Sequence, residues 1–152
     1  MAQEPYLVSL RRLIDEEQAD CAFYHLAAQS SQGTPSAQIF EELSRQEAQH
    51  TRQLQQLYRT AASRGYSGTG EHELVIDRDF GQMLSRRLNR EMRQAQEFLQ
   101  LQAWRRNPAA REMLGRLALE ETMHSVRLLQ LENLRYQGLL SSEIPRDFPK
   151  KT

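Results

Sequence analysis

Two Glu-x-x-His motifs, Glu47 to His50 and Glu121 to His124, occur in a chain of 152 residues. Each follows an earlier glutamate at the same interval: Glu17 precedes Glu47 as Glu91 precedes Glu121. Two carboxylates and one imidazole, supplied twice, make a donor set suited to two metal ions. With 15 glutamates and four histidines in the chain, well under one Glu-x-x-His is expected by chance. The set is rich in oxygen and carries two imidazoles. That suits Fe(II), Fe(III) or Mn(II), whereas structural zinc favours four-coordinate sites with more nitrogen or sulfur. Two iron ions are therefore the expected cofactor, with manganese the alternative. Glu47 and Glu121 are expected to bridge the two ions. Glu17 and Glu91 would be terminal carboxylates, and His50 and His124 would bind one ion each.

The spacing places these donors on helices. Leu43, Glu47, His50, Leu54 and Leu57 follow one helical face, and Leu117, Glu121, His124, Leu128 and Leu131 repeat it. Glutamate and histidine thus interrupt an apolar stripe at its middle, twice. An unpaired buried carboxylate costs several kcal/mol, and a bound cation removes that cost. Leu13, Glu17, Cys21, Tyr24 and Ala28 share a face upstream, as do Leu84, Leu88, Glu91, Ala95 and Phe98. Glu16, the neighbour of Glu17, points about 100° away.

Four helices must hold these faces. The periodicity predicts a first helix from about Tyr6 to Gln29 and a second from Pro35 to about Ala62, with Thr34 as N-cap. A third covers roughly Phe80 to Trp104. A fourth opens at Pro108, capped by Asn107, and ends near Gly138. Short connections make each pair an antiparallel hairpin, while the long connection from Ser63 to Asp79 is free to cross the bundle. The expected fold is all-α: a ferritin-like four-helix bundle of two hairpins joined by a long crossover. Residues 1–140 form the bundle domain and 141–152 a C-terminal tail. The offset that carries Glu47 onto Glu121 also pairs Tyr24 with Phe98, Leu43 with Leu117, Leu54 with Leu128 and Leu57 with Leu131.

Composition removes several function classes. The formal net charge is zero, so no basic footprint for nucleic acid exists. The single cysteine, Cys21, excludes an intrachain disulfide and any Cys-x-x-Cys metal site. The N-terminus lacks a signal-peptide pattern, and no run approaches the roughly 20 apolar residues that span a bilayer. A soluble cytoplasmic protein, with no membrane partner, is the expectation.

Glu17 with Tyr24, Glu47-x-x-His50, Glu91 with Phe98, and Glu121-x-x-His124 resemble the ferritin-like di-iron superfamily, most closely its rubrerythrin-type domains. The resemblance covers residues 8–135. It implies a di-iron oxidoreductase in which Fe(II) is oxidised by peroxide or dioxygen. Full rubrerythrins carry a rubredoxin domain with four cysteine ligands, which one cysteine cannot supply. The resemblance therefore implies an external electron donor, such as a separate rubredoxin-type protein, and a homodimeric assembly. Many rubrerythrins also carry an extra glutamate near the third-helix ligand; this chain has Gln94 there, and Glu97 lies off the stripe. The residues preceding the bridging glutamates often support the opposite imidazole in this family. That implies Glu120 orienting His50 and Gln46 orienting His124, with plain surface positions as the alternative. A ferritin-type storage cage and a non-catalytic metal-binding module are the competing functions.

Tyr24 reads as a catalytic phenol beside the metals or as a core aromatic with a satisfied hydroxyl. Cys21 reads as a small buried apolar residue. His25 is out of phase with the ligands, and His72 sits in the crossover, exposed. Trp104 would cap the core or join a subunit interface. Met83 and Met92 match a haem ligand by residue type only. Arg86, Arg87 and the run Arg90 to Arg93 read as a solvated face. Asp15, Glu16 and Asp20 could form an acidic mouth for cations.

Overall fold

Prolines and small polar residues set the helix ends. The computed structural model describes residues 3–71, 74 and 79–138. Its four helices are α1 (Gln3–Ser30), α2 (Pro35–Ala62), α3 (Phe80–Trp104) and α4 (Pro108–Tyr136), and no strand forms among the described residues. No described helix is long and apolar enough to cross a membrane. The predicted starts of α2, α3 and α4 hold. α1 begins at Gln3, ahead of Tyr6, because Pro5 falls in the first turn, where a missing N–H breaks no intrahelical bond. Asn107 caps α4 by accepting from the Ala110 N–H at 3.0 Å. Asp79 does the same for α3 through Gln82, at 2.8 Å.

Thr34 departs from expectation. It occupies the N-cap position of α2, but its hydroxyl makes no capping bond. It donates instead to the Ser31 carbonyl at 2.7 Å and lies 2.7 Å from the Ser36 hydroxyl, closing the α1–α2 turn. Pro35 already removes one orphan donor from that helix start, so less is left for a cap to satisfy.

Each hairpin packs antiparallel, α1 on α2 and α3 on α4, and α2 meets α4 across the middle. The residues after α2 fold back along α1. The Tyr66 hydroxyl donates to Asp15 at 2.9 Å, and the Thr69 N–H donates to the same carboxylate at 2.8 Å. Gln18 donates to the Ser67 carbonyl at 2.7 Å. Gly68 is required there: its φ is +92°, and a Cβ would lie 2.0 Å from Gln18 Oε1. His72 and the tail from residue 141 lie outside the described residues.

The apolar core comes in two blocks. One joins Leu10, Leu13 and Ile14 of α1 to Leu54 and Leu57 of α2, Phe98 of α3, and Leu114 and Leu117 of α4. The other joins Phe23 and Tyr24 to Phe40 and Leu43, Met83 and Leu84, and Leu128 and Leu131. On every helix the motif glutamate or histidine falls between the two blocks. The repeat offset exchanges them, since Leu54 belongs to the first block and its counterpart Leu128 to the second. The bundle is pseudo-twofold, and its polar layer lies at the midpoint.

Candidate metal centre

All six expected donors meet in that layer, each at most 1% exposed. Glu47 and His50 are one turn apart on α2, and Glu121 and His124 on α4, so each pair points the same way. Glu17 reaches in from α1 and Glu91 from α3. The imidazoles stack with centroids 5.2 Å apart and planes at 16°. Glu47, His50, Glu121 and His124 each offer a donor atom within 4.8 Å of the others, a grouping that could hold a metal ion.

The distances divide the layer into halves. His50 Nδ1 lies 3.2 Å from Glu17 Oε2, 3.2 Å from Glu47 Oε2 and 2.8 Å from Glu121 Oε1. His124 Nδ1 lies 3.3 Å from Glu91 Oε2, 3.0 Å from Glu47 Oε1 and 3.3 Å from Glu121 Oε2. Glu47 and Glu121 each give one oxygen to each half, whereas Glu17 serves only His50 and Glu91 only His124. All four oxygens of Glu47 and Glu121 are buried and accept no well-formed hydrogen bond, despite their nearness to the imidazoles. Buried carboxylate oxygens are normally satisfied. Four converging without donors fit a cation.

A second set of residues holds the first. Glu120 Oε2 lies 2.8 Å from His50 Nε2, and Gln46 Oε1 lies 3.0 Å from His124 Nε2. The expected orienting contacts are therefore present. An acceptor on Nε2 fixes that nitrogen's proton and leaves Nδ1 facing the carboxylates. Gln94 Nε2 donates to Glu17 Oε1 and to Asp20 Oδ2, both at 3.1 Å. The Tyr24 hydroxyl donates to Glu91 Oε1. Arg90 Nε in turn grips Asp20 at 2.7 and 2.8 Å, and Arg87 lies against the same carboxylate. The Arg87 guanidinium also stacks 3.5 Å over the Phe23 ring.

Burial and mutual repulsion sort the ionisation states. Burial, reinforced by the charges of Glu121 and Glu47, pushes the Glu17 carboxyl well up. Glu91 rises for the same reasons. Burial also opposes ionisation of Glu47, but the imidazoles outweigh it and hold that carboxyl far below the usual range. Glu121 is lowered likewise, against burial and the charge of Glu47. Burial works against protonated His50 and His124, yet Glu120 and the neighbouring carboxylates raise His50, and the charge of Glu47 with its neighbours raises His124. Burial and the nearby Glu91 raise the Tyr24 phenol, keeping it protonated.

Several expectations change. Arg87 and Arg90 are not a solvated face, because the buried Asp20 draws them in. No acidic mouth forms among the described residues: Asp15 clamps the crossover, Glu16 pairs with Arg12 at 2.9 Å and Arg93 at 3.2 Å, and Asp20 lies under its arginines. Glu97 is outside the layer, paired with Arg12 and Arg93 at 2.7 Å each. Cys21 is only partly buried, with its thiol 3.6 Å from the Ser44 hydroxyl. Trp104 is 59% exposed and caps no core. His25 is exposed and touches Gln29, as its phase required. Sequence reasoning missed Asp20 as a partner of Gln94. The signal was present, since Asp20 follows Glu17 at the same spacing as Gln94 follows Glu91, which makes the two repeat counterparts.

No curated protein and no solved structure matches the chain. A family model described as Rubrerythrin matches residues 9–132. That span contains every donor of the buried layer and most of all four helices, and the chain belongs to the rubrerythrin family.

Proposed function

We propose that this protein is a di-iron oxidoreductase that oxidises Fe(II) with hydrogen peroxide or dioxygen. The reading rests on one observation: four buried carboxylate oxygens without hydrogen-bond donors, shared between two imidazole Nδ1 atoms. Glu17 and His50 would hold one ion, Glu91 and His124 the other, and Glu47 and Glu121 would bridge them. A bound iron pair supplies two electrons, enough to reduce one peroxide to two waters with two protons. The chain's own residues do the rest. Gln94 and Tyr24 fix the terminal carboxylates, Glu120 and Gln46 fix the imidazoles, and the two apolar blocks keep bulk water from the layer. Tyr24 touches Glu91 and acts as a positioning phenol that stays protonated. Electrons for the next turnover come from a separate donor of the rubredoxin type.

Anaerobic Fe(II) titration followed by one addition of peroxide tests this. The expected result is two irons per chain and one peroxide consumed per iron pair. Binding of fewer than two ions overturns the dinuclear assignment. Gel filtration separates the storage alternative: a dimer agrees with the proposal, and a shell of many subunits carrying a mineral core favours a ferritin-type cage.

A further inference from the structure

The ligand layer repeats faithfully between the two hairpins, but the layer behind it does not. Glu120 stands where Gln46 stands, Tyr24 where Phe98 stands, and Gln94 where Asp20 stands. Each substitution changes what a donor feels. The His50 Nε2 proton is held by a carboxylate at 2.8 Å, the His124 Nε2 proton by a neutral amide at 3.0 Å. A carboxylate partner makes an imidazole a stronger electron donor than an amide does. Among the terminal ligands, Glu91 receives the Tyr24 hydroxyl, whereas Glu17 receives an amide N–H at 3.1 Å. A phenol O–H is a stronger donor than an amide N–H, so it withdraws more charge from Glu91. Both differences have the same sign, so the Glu17–His50 half is richer in available electron density at both of its own ligands.

The opposing charge is the Asp20–Arg87–Arg90 group, with one carboxylate and two guanidiniums. Asp20 stands between the guanidiniums and Gln94. Arg87 also lies 5.6 Å from the Tyr24 ring, so its charge bears on both halves.

We propose that the two cation positions are unequal by construction: the Glu17–His50 position fills first and holds its ion more tightly, and the Glu120 carboxylate is the main determinant of that order. Glu120 is a positioning residue acting through His50. The inference rests on the dinuclear reading above. It adds an order of filling that the symmetric ligand set alone would not give.

The test is anaerobic calorimetric titration with Fe(II), together with the Mössbauer spectrum of protein given one equivalent of iron-57. The wild type should bind two ions in two steps, and one doublet should dominate at one equivalent. Glu120→Gln keeps an oxygen acceptor for His50 and removes only the charge. It should weaken the first step roughly tenfold, leave the second unchanged, and give two doublets at one equivalent. Gln46→Glu should strengthen the second step and narrow the gap from the other side. Both positions are partly exposed, so thermal melts serve as the folding control. Two equal steps in the wild type, or equal weakening of both steps by Glu120→Gln, overturns the inference while leaving the dinuclear site standing. Failure of the wild type to bind two ions sinks the underlying reading instead.

Discussion

The α1–α2 hairpin and the α3–α4 hairpin make the same offer to the centre of the bundle: a lone glutamate from one helix and a Glu-x-x-His pair from the other. They differ in almost everything that stands behind the offer. The α1–α2 hairpin brings Tyr24, Asp20 and Gln46; the α3–α4 hairpin brings Phe98, Gln94 and Glu120 at the same positions. Ligand types answer to the metal, so both copies must agree. A supporting residue answers only to the ligand it touches, and several side chains can satisfy that ligand. The comparison therefore separates two kinds of constraint, and variants in each layer should behave differently.

The largest effect should come from a bridging carboxylate. Glu47 gives an oxygen to each imidazole, while Glu17 serves His50 alone. Glu47→Gln is expected to abolish binding of both ions, and Glu17→Gln to leave one, as counted by metal analysis. The ion-free proteins should diverge as well. Glu47→Gln leaves buried imidazolium rings short of a partner and should cost about 3–5 kcal/mol. Burial raises the Glu17 carboxyl and so favours its neutral form, and an amide replacement should stay within about 1 kcal/mol of wild type. Equal losses of metal from the two variants would erase the distinction between bridging and terminal ligands.

Proton linkage extends the contrast to both halves together. Glu17, Glu91, His50 and His124 hold protons more tightly in the folded chain than in the unfolded one. Their stabilisation of the ion-free protein is complete below the unfolded values, 4.5 for the carboxyls and 6.5 for the imidazoles, and is lost as pH rises. Glu47 and Glu121 run the other way. Their contribution is present above 4.5 and is lost as pH falls. Ion-free stability should therefore peak near pH 4.5 and decline above it, first through Glu17 and Glu91 and, beyond about pH 6.5, through the imidazoles as well, by about 1.4 kcal/mol per pH unit for each excess proton. Cations displace these protons, so the gain in Tm on adding Mn(II) should grow over the same alkaline range. A metal-induced gain that is flat or shrinks with pH would contradict the ionisation pattern assigned to the layer.

Asp20 and Gln94 occupy equivalent positions but do unequal work. Asp20 holds Arg87 and Arg90, ties α1 to α3, and accepts from Gln94. Asp20→Asn removes the anion from two guanidiniums that water can still partly reach. The expected cost is about 1–3 kcal/mol in chemical denaturation, with two cations still bound. Gln94→Ala should cost less, since it leaves the arginine pair intact. A larger loss at Gln94 than at Asp20 would mean that the amide, rather than the ion pair, joins the two hairpins.

These variants also mark how far the sequence could be read. Helix starts at Pro35 and Pro108, the ligand faces, and the choice of Glu17 over Glu16 follow from periodicity, because a side chain's phase on a helix fixes whether it is buried. The orienting contacts of Glu120 and Gln46 followed from family resemblance applied at known positions. The Arg87–Asp20–Arg90 cluster was not legible. Its members belong to different helices, and nothing in the local pattern of α3 says that an arginine will turn inward toward a buried anion on α1. Thr34 illustrates a second limit. Its position at the N-cap was readable, but its hydroxyl chose between competing acceptors within one turn, and local spacing does not rank them.

Tyr24→Phe should have the smallest effect, and it bears directly on the difference between the hairpins. Its equivalent, Phe98, is fully buried at the same depth in the opposite hairpin, so a phenylalanine fits such a position without a cavity. The substitution removes one buried hydrogen bond to Glu91. Burial raises that carboxyl and so eases the loss of a donor, and it also lies 3.3 Å from His124 Nδ1. The expected loss is about 1 kcal/mol in thermal or chemical melts, with metal stoichiometry unchanged at two. The second binding step should strengthen, because Glu91 regains the charge that the phenol had withdrawn, bringing the two halves closer to equality. If the second ion is instead lost, the Tyr24 hydroxyl is needed to place Glu91 at all, and the α1–α2 hairpin would support its neighbour's ligand by position rather than by charge.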